Sequence, residues 1–155
     1  EGIVRVAAAV SHPFATVRVV SVATPSEIGA RAEREVSYAL ERCGWHVYLP
    51  VFASHARVDL VAVRGSEVLR VQVKSARLSG GALSFRVCSN TANAPKDYRG
   101  EVDAFGVYSP DLDRAYLVPV EGTATRMCTL HLVPAVNGQS VGTRLAADYE
   151  LRRPG

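Results

Sequence analysis

Apolar residues recur at helical spacing from Ile28 onward, with Ile28, Ala32, Val36, Ala39, Leu40 and Cys43 sharing one face. Arg31, Arg34, Tyr38 and Glu41 fall on the other face. Thr24-Pro25-Ser26-Glu27 marks the start: Thr24 caps, Pro25 fits the first helical position and Glu27 completes a capping box. Gly44 suits the left-handed residue beyond the end. The pattern predicts a helix over about 24–43. Glu33 lies at one edge of its apolar stripe and Glu35 at the other, so spacing leaves open which carboxylate faces a site.

Beyond Gly44 the helical period gives way to short runs rich in β-branched residues. These predict strands over 45–49, 58–63 and 68–73. Arg64-Gly65-Ser66-Glu67 separates the last two, and Gly-Ser suits a two-residue type II′ turn. That turn pairs residue 64 with 67, and therefore 59 with 72. Asp59, Gln72 and Lys74 then share one face of the sheet, because side chains alternate along a strand. On the diagonal, Lys74 lies within about 7 Å of Asp59 between Cβ atoms.

Further strands are predicted over 83–88, 104–108, 115–120 and 129–133, the middle two forming a hairpin around Pro110-Asp111. Residues 89–101 read as a polar, turn-rich connection, 137–140 as a loop and 143–151 as a terminal helix. The order predicts an α/β domain (α+β, mixed sheet) centred on the Asp59/Gln72 hairpin. Residues 1–23, a Val/Ala-rich stretch broken by His12 and Pro13, read as an N-terminal extension, and 24–152 as the domain.

Composition narrows the class. At 155 residues, 48% hydrophobic and 21% charged, the chain suits one globular domain. No run approaches the roughly 18 apolar residues of a membrane span, so a soluble protein is expected. The net charge of +3 permits nucleic-acid binding without demanding it. Of 18 basic residues only Lys74 and Lys96 are lysines, which makes an ammonium beside Asp59 stand out. Cys43, Cys88 and Cys128 have neither zinc-finger nor Cys-x-x-Cys spacing and read as buried small hydrophobes in a reducing cytoplasm. No Gly-rich phosphate loop is present, so no nucleotide cofactor is expected.

Apolar strands rarely carry Asp, Gln and Lys without a reason, and here the hairpin gathers all three. With a helix carboxylate they resemble a hard-cation site beside an ammonium. Magnesium takes oxygen ligands, commonly one or two carboxylates with water and phosphate. Asp59 and Glu33 offer the carboxylates, Gln72 a neutral oxygen and Val73 its carbonyl. Lys74 is suited to stabilising charge on a phosphate. The plainer reading is a cross-strand Asp59–Lys74 ion pair worth a few tenths of a kcal/mol.

The segments Gly29-Ala30-Arg31-Ala32-Glu33, Val58-Asp59-Leu60-Val61 and Val71-Gln72-Val73-Lys74-Ser75 resemble the pattern of the PD-(D/E)XK nucleases. That pattern is a helix G-x-x-x-E, a hydrophobic residue before Asp, and (E/Q)-x-K on the next strand. The likeness runs over about 26–151, with support from 98–105, 115–120, 137–139 and 146–149. It is similar to archaeal Holliday-junction resolvases and closer to homing endonucleases of bacterial group I introns. The resemblance implies a restriction-endonuclease-like fold and an Mg²⁺- or Mn²⁺-dependent hydrolase, an endodeoxyribonuclease. Its catalytic residues would be Glu33, Asp59, Gln72 and Lys74, with Asp59, Glu33, Gln72 and Val73 holding the metal. DNA would be the partner. Lys96, Tyr98 and Arg99 in the polar stretch form a basic-aromatic cluster suited to gripping it, with a packed Tyr98 as the other reading. Arg31 and Arg34 are candidate phosphate contacts, with a solvated helix face as the plainer reading. A homodimer or homotetramer is expected, since cutting both strands needs paired sites. Gln72 stands where the family usually has a second acid, which leaves a catalytically inactive nucleic-acid-binding relative as the alternative. A structural or partner-binding α+β domain is the other.

Overall fold

The structure is a computed structural model that describes residues 22–52, 56–91, 94–134 and 143–152. Helix α1 spans Pro25–Arg42 behind the capping box expected of Thr24 and Glu27. The Glu27 N–H donates to Thr24 Oγ1 at 3.3 Å, and the Thr24 N–H to the Glu27 carboxylate at 2.7 Å. Ala32, Val36, Ala39 and Leu40 are buried, whereas Ile28 stays 40% exposed, so the buried stripe begins one turn later than its periodicity predicts.

Strands β1 (His46–Tyr48), β2 (Leu60–Arg64), β3 (Glu67–Ser75), β8 (Ala104–Ser109) and β9 (Arg114–Pro119) form a five-stranded sheet in the order β1-β2-β3-β8-β9. Gly65, at φ 59, makes the predicted turn and pairs Arg64 with Glu67. β3 pairs with β8 in parallel, and the other neighbours are antiparallel. The parallel pair requires a long crossover. It carries β4 (Arg77–Ser79), β5 (Ala82–Arg86), β6 (Cys88–Thr91) and β7 (Ala94–Asp97). β10 (Met127–His131) joins β5 and β4 in a second sheet, and β6 pairs with β7. This is the mixed-sheet α+β architecture expected, with β3 at the centre.

Three elements differ from expectation, the first being the three-residue β4, which falls where no strand is predicted. Residues 89–101 contain part of the β6–β7 hairpin rather than an unstructured connection. Its strands, Cys-Ser-Asn-Thr and Ala-Pro-Lys-Asp, lack apolar alternation, so the ladder leaves no periodic signal. The predicted terminal helix is only a 3₁₀ turn, Ala146–Asp148. The chain after it lies against the open edge of β9: the Leu117 N–H donates to the Tyr149 carbonyl at 2.8 Å and the Leu151 N–H to the Ala115 carbonyl at 2.9 Å. Covering an edge strand uses backbone groups that a helix would keep to itself. The predicted 137–140 loop and most of the 1–23 extension lie outside the described residues.

The main sheet has a core on each face. Val71 and Val73 of β3 pack under α1 with Leu60, Tyr108 and Trp45. On the opposite face, Phe105, Val107 and Tyr116 pack with Phe85, Leu130 and Tyr98. Alternation places Gln72 and Lys74 on that second face, away from the helix. Gly106 of β8 sets the helix–sheet approach, since an ideal Cβ there would lie 2.5 Å from Val36 Cγ1 and 3.1 Å from Val71 Cγ1. Gly106→Ala is therefore expected to cost about 1–3 kcal/mol by overpacking. Urea unfolding measures this, and a change below about 0.5 kcal/mol would show that α1 is free to move away.

Candidate active site

The hairpin ladder stops at Leu60, and Asp59 is the next residue out. Its N–H still donates to the Val71 carbonyl at 2.9 Å, which anchors the residue beside β3. The Asp59 Oδ2 accepts the Val73 N–H at 2.6 Å and a close hydrogen bond from Gln72 Nε2. Gln72 is 8% exposed, and its Nε2 also points to the Val73 carbonyl at 3.4 Å. Gln72 thus turns its amide nitrogen toward Asp59, because both groups in front of it are acceptors.

Burial pushes the Asp59 carboxyl up to about 6. The Val73 N–H pulls against that shift, the Glu33 charge adds to it, and Lys74 and the Gln72 amide oppose it. Three of the four predicted catalytic residues are therefore gathered on one face of the sheet. Glu33 is not gathered with them in the same way: it is exposed on α1, which packs on the other face, and acts on Asp59 through its charge.

Lys74 is held by an aromatic side chain. Its Nζ donates to Tyr98 Oη at 3.2 Å and lies 4.8 Å from the ring centroid. Tyr98 is 4% exposed and meets Phe105 edge-on at 5.7 Å, so it is not the base-stacking surface residue expected of a polar loop. The Arg57 guanidinium also lies over that ring, at 3.9 Å. Arg57 donates to Ser89 Oγ at 2.6 Å and closely to the Asp97 carbonyl. Its Nε sits against the Glu101 carboxylate as an ion pair without hydrogen-bond alignment. Arg57, two residues before Asp59, was not foreseen, because one more arginine carries no signal among sixteen.

The other predicted nucleic-acid contacts are engaged within the chain. Arg31 donates to Tyr108 Oη at 2.9 Å, and that hydroxyl donates to Asp113 at 2.6 Å. Arg34 pairs with Glu35 at 3.5 Å on the exposed side of α1, and Lys96 with Glu101 at 3.0 Å. Arg99 pairs with Asp97 at 2.6 Å and donates closely to the Thr123 carbonyl. Each of these cations already faces a carboxylate or a hydroxyl.

Among the described residues no three His, Cys, Asp or Glu side chains converge on a metal position. The oxygen donors available at Asp59 are its own carboxylate, the Val73 carbonyl and, once turned over, the Gln72 amide oxygen. An all-oxygen set suits a hard divalent cation. The half-buried, incompletely compensated Asp59 carboxyl fits the same reading, since a cation would lower it. Cys43, Cys88 and Cys128 are unpaired thiols with no place in the set.

A family model described as PD-(D/E)XK endonuclease matches residues 24–152. Among solved structures, the chain is similar to a bacterial homing endonuclease, I-Ssp6803I, with a TM-score of 0.62 and 23% identity over 83% of this chain and 89% of that one. No curated protein matches the chain. At that identity the structural likeness speaks for the fold.

Proposed function

The chain belongs to the PD-(D/E)XK endonuclease family, and from that premise we propose that it is a metal-dependent endonuclease hydrolysing DNA phosphodiester bonds at Asp59, Gln72 and Lys74. The observation that carries this is the convergence of an under-compensated carboxyl, an amide and an ammonium on one sheet face. A structural ion pair needs neither the burial of Asp59 nor a buried glutamine between the charges.

Asp59, the Val73 carbonyl and the Gln72 oxygen would hold Mg²⁺ or Mn²⁺, with Glu33 adding charge from α1. When bound, such a cation polarises a phosphate oxygen and acidifies a water. The water oxygen forms the new P–O bond, the bond to the leaving oxygen breaks, and that oxygen takes a proton. Lys74 places an ammonium where negative charge gathers on the phosphate. Tyr98 Oη accepts from that ammonium and fixes its position while leaving its other protons to donate. Gln72 donates to Asp59 in the structure, so serving a cation requires its amide to turn over. One chain carries one such site, and we propose a homodimer or homotetramer for double-strand cutting. The unpaired cysteines agree with a reducing compartment such as the cytoplasm.

The test has two parts, calorimetric titration with Mn²⁺ and cleavage of supercoiled and branched DNA in Mg²⁺, Mn²⁺ or EDTA. Cation binding with cutting that EDTA abolishes is expected. Cutting that persists in EDTA, or no cation binding at millimolar concentrations, overturns metal dependence. DNA retained but left intact in both metals identifies an inactive binding relative.

A further inference from the structure

The three-stranded sheet has one face in the core and one facing out. Leu83, Phe85, Cys128 and Leu130 point inward and are buried. The pairing places Arg77, Ser84 and Thr129 in one outward row across β4, β5 and β10, with Arg86 opposite Met127 in the next. Ser84 Oγ and Thr129 Oγ1 lie 3.4 Å apart. Arg126 precedes Met127 and is exposed. None of the three strands contains Asp or Glu. Among the described residues one carboxylate bonds to the sheet: Asp111 accepts the Leu78 N–H at 3.1 Å on the edge of β4.

Arg77, Arg86 and Arg126 differ from the arginines described above. Their side chains have no hydrogen-bond or ion-pair partner among the described residues, whereas Arg57, Arg64, Arg70, Arg99, Arg114 and Arg152 all meet carboxylates. Leaving Arg77 and Arg86 uncompensated on one face, with the exposed Arg126 just beyond the end of β10, creates a positive field that an anion can satisfy.

The chain ties that sheet to the candidate active site at two points. Arg77 follows Lys74 by three residues, at most about 10 Å of chain. Arg86 leads through Val87 and Cys88 to Ser89, whose hydroxyl accepts from Arg57, two residues before Asp59. The Val87 N–H donates to the Arg126 carbonyl at 3.0 Å, which brings Arg126 beside Arg86.

We propose that the outward face of β4, β5 and β10 is where the phosphate backbone of DNA rests as it enters the site, with Arg77, Arg86 and Arg126 contacting phosphates. This rests on the nuclease reading for its substrate. Guanidinium groups match phosphate in charge and fork geometry, and serine and threonine hydroxyls commonly contact phosphate oxygens. A sheet face whose strands carry no Asp or Glu offers such contacts without base readout, so the surface holds DNA irrespective of sequence.

The experiment is binding of a fluorescent DNA duplex to the full chain, by anisotropy in EDTA between 50 and 200 mM salt, so that no cleavage enters the readout. Each phosphate neutralised contributes about 0.9 to the slope of log affinity against log salt. The combined Arg77→Ala, Arg86→Ala and Arg126→Ala variant is expected to lower that slope by about 2–3, and the three Arg→Lys changes to retain it. Arg42→Ala, at the end of α1 on the far side of the sheet, is the matched control and is expected to keep the wild-type slope. All four changes are at exposed positions, and circular dichroism checks folding. A triple variant with an unchanged slope overturns the surface and leaves the nuclease reading standing. Wild type that binds no duplex at 50 mM salt overturns both.

Discussion

Lys74→Met is expected to slow DNA cleavage by about 10²–10³-fold while leaving duplex affinity within about threefold. The ammonium lies on the same sheet face as Asp59, and its charge already lowers that carboxyl against the burial that raises it. In the proposed mechanism that charge acts where phosphate negativity develops, so its removal should appear in the chemical step rather than in binding. Methionine keeps the length and most of the volume of the side chain. It leaves Tyr98 Oη without its 3.2 Å donor, but the ring keeps its contact with Phe105. Single-turnover cleavage beside anisotropy separates the two effects. A rate within tenfold of wild type, with the fold intact, would remove Lys74 from the mechanism and return it to the role of a cross-strand charge.

The hairpin that assembles these residues was legible because its information is local. Gly65-Ser66 specifies the turn, the turn specifies the register, and the register places Asp59 beside Gln72. The helix was legible for a similar reason, through Thr24, Pro25 and Glu27. What escaped depends on contacts distant in the chain. The β6–β7 hairpin has no apolar alternation, and the tail after Ala146 is shaped by the free edge of β9, which its own sequence does not encode. Lys96, Tyr98 and Arg99 are candidate DNA contacts because they are basic or aromatic in a turn-rich stretch. The fold buries Tyr98 beneath Lys74, and pairs the exposed Lys96 and Arg99 with Glu101 and Asp97, contacts that the sequence does not display. Conversely, Arg77 and Arg86 looked unremarkable until strand pairing showed them on a face without carboxylates. The orientation of Gln72 was also beyond the sequence. Opposition to Asp59 follows from register, but the choice of nitrogen over oxygen follows from the two acceptors that meet there.

Asp59→Asn is expected to abolish cation-dependent cleavage and, in EDTA at neutral pH, to make the protein more stable. Both donors that meet Asp59 aim at Oδ2, so the asparagine Oδ1 can accept the Val73 N–H and the Gln72 amide in the same positions. What disappears is a half-buried negative charge. The carboxyl ionises at about 6 in the fold against 3.8 ordinarily. Below about pH 4 it is protonated in both the folded and unfolded chain, and burial costs little. Between about pH 4 and 6 the folded chain retains a proton that the unfolded chain has released, so stability falls as pH rises through that window and levels off above it. A shift of this size corresponds to at most about 3 kcal/mol. Partial solvent access reduces the expected gain for the variant to the order of 1–2 kcal/mol at pH 7, vanishing near pH 3.5. Cation binding by the wild type should strengthen as pH rises through 6, since it competes with the same proton. Urea unfolding of both proteins at pH 3.5, 5 and 7 reads the first effect, and Mn²⁺ titration at pH 5 and 7 the second. A stability difference that stays flat across the three pH values would mean that Asp59 is ionised in the fold at no cost. The site would then lack the uncompensated charge on which its affinity for a cation is argued. A pH-dependent gain in stability, joined to the loss of cleavage, would identify Asp59 as a residue kept for function at the expense of stability.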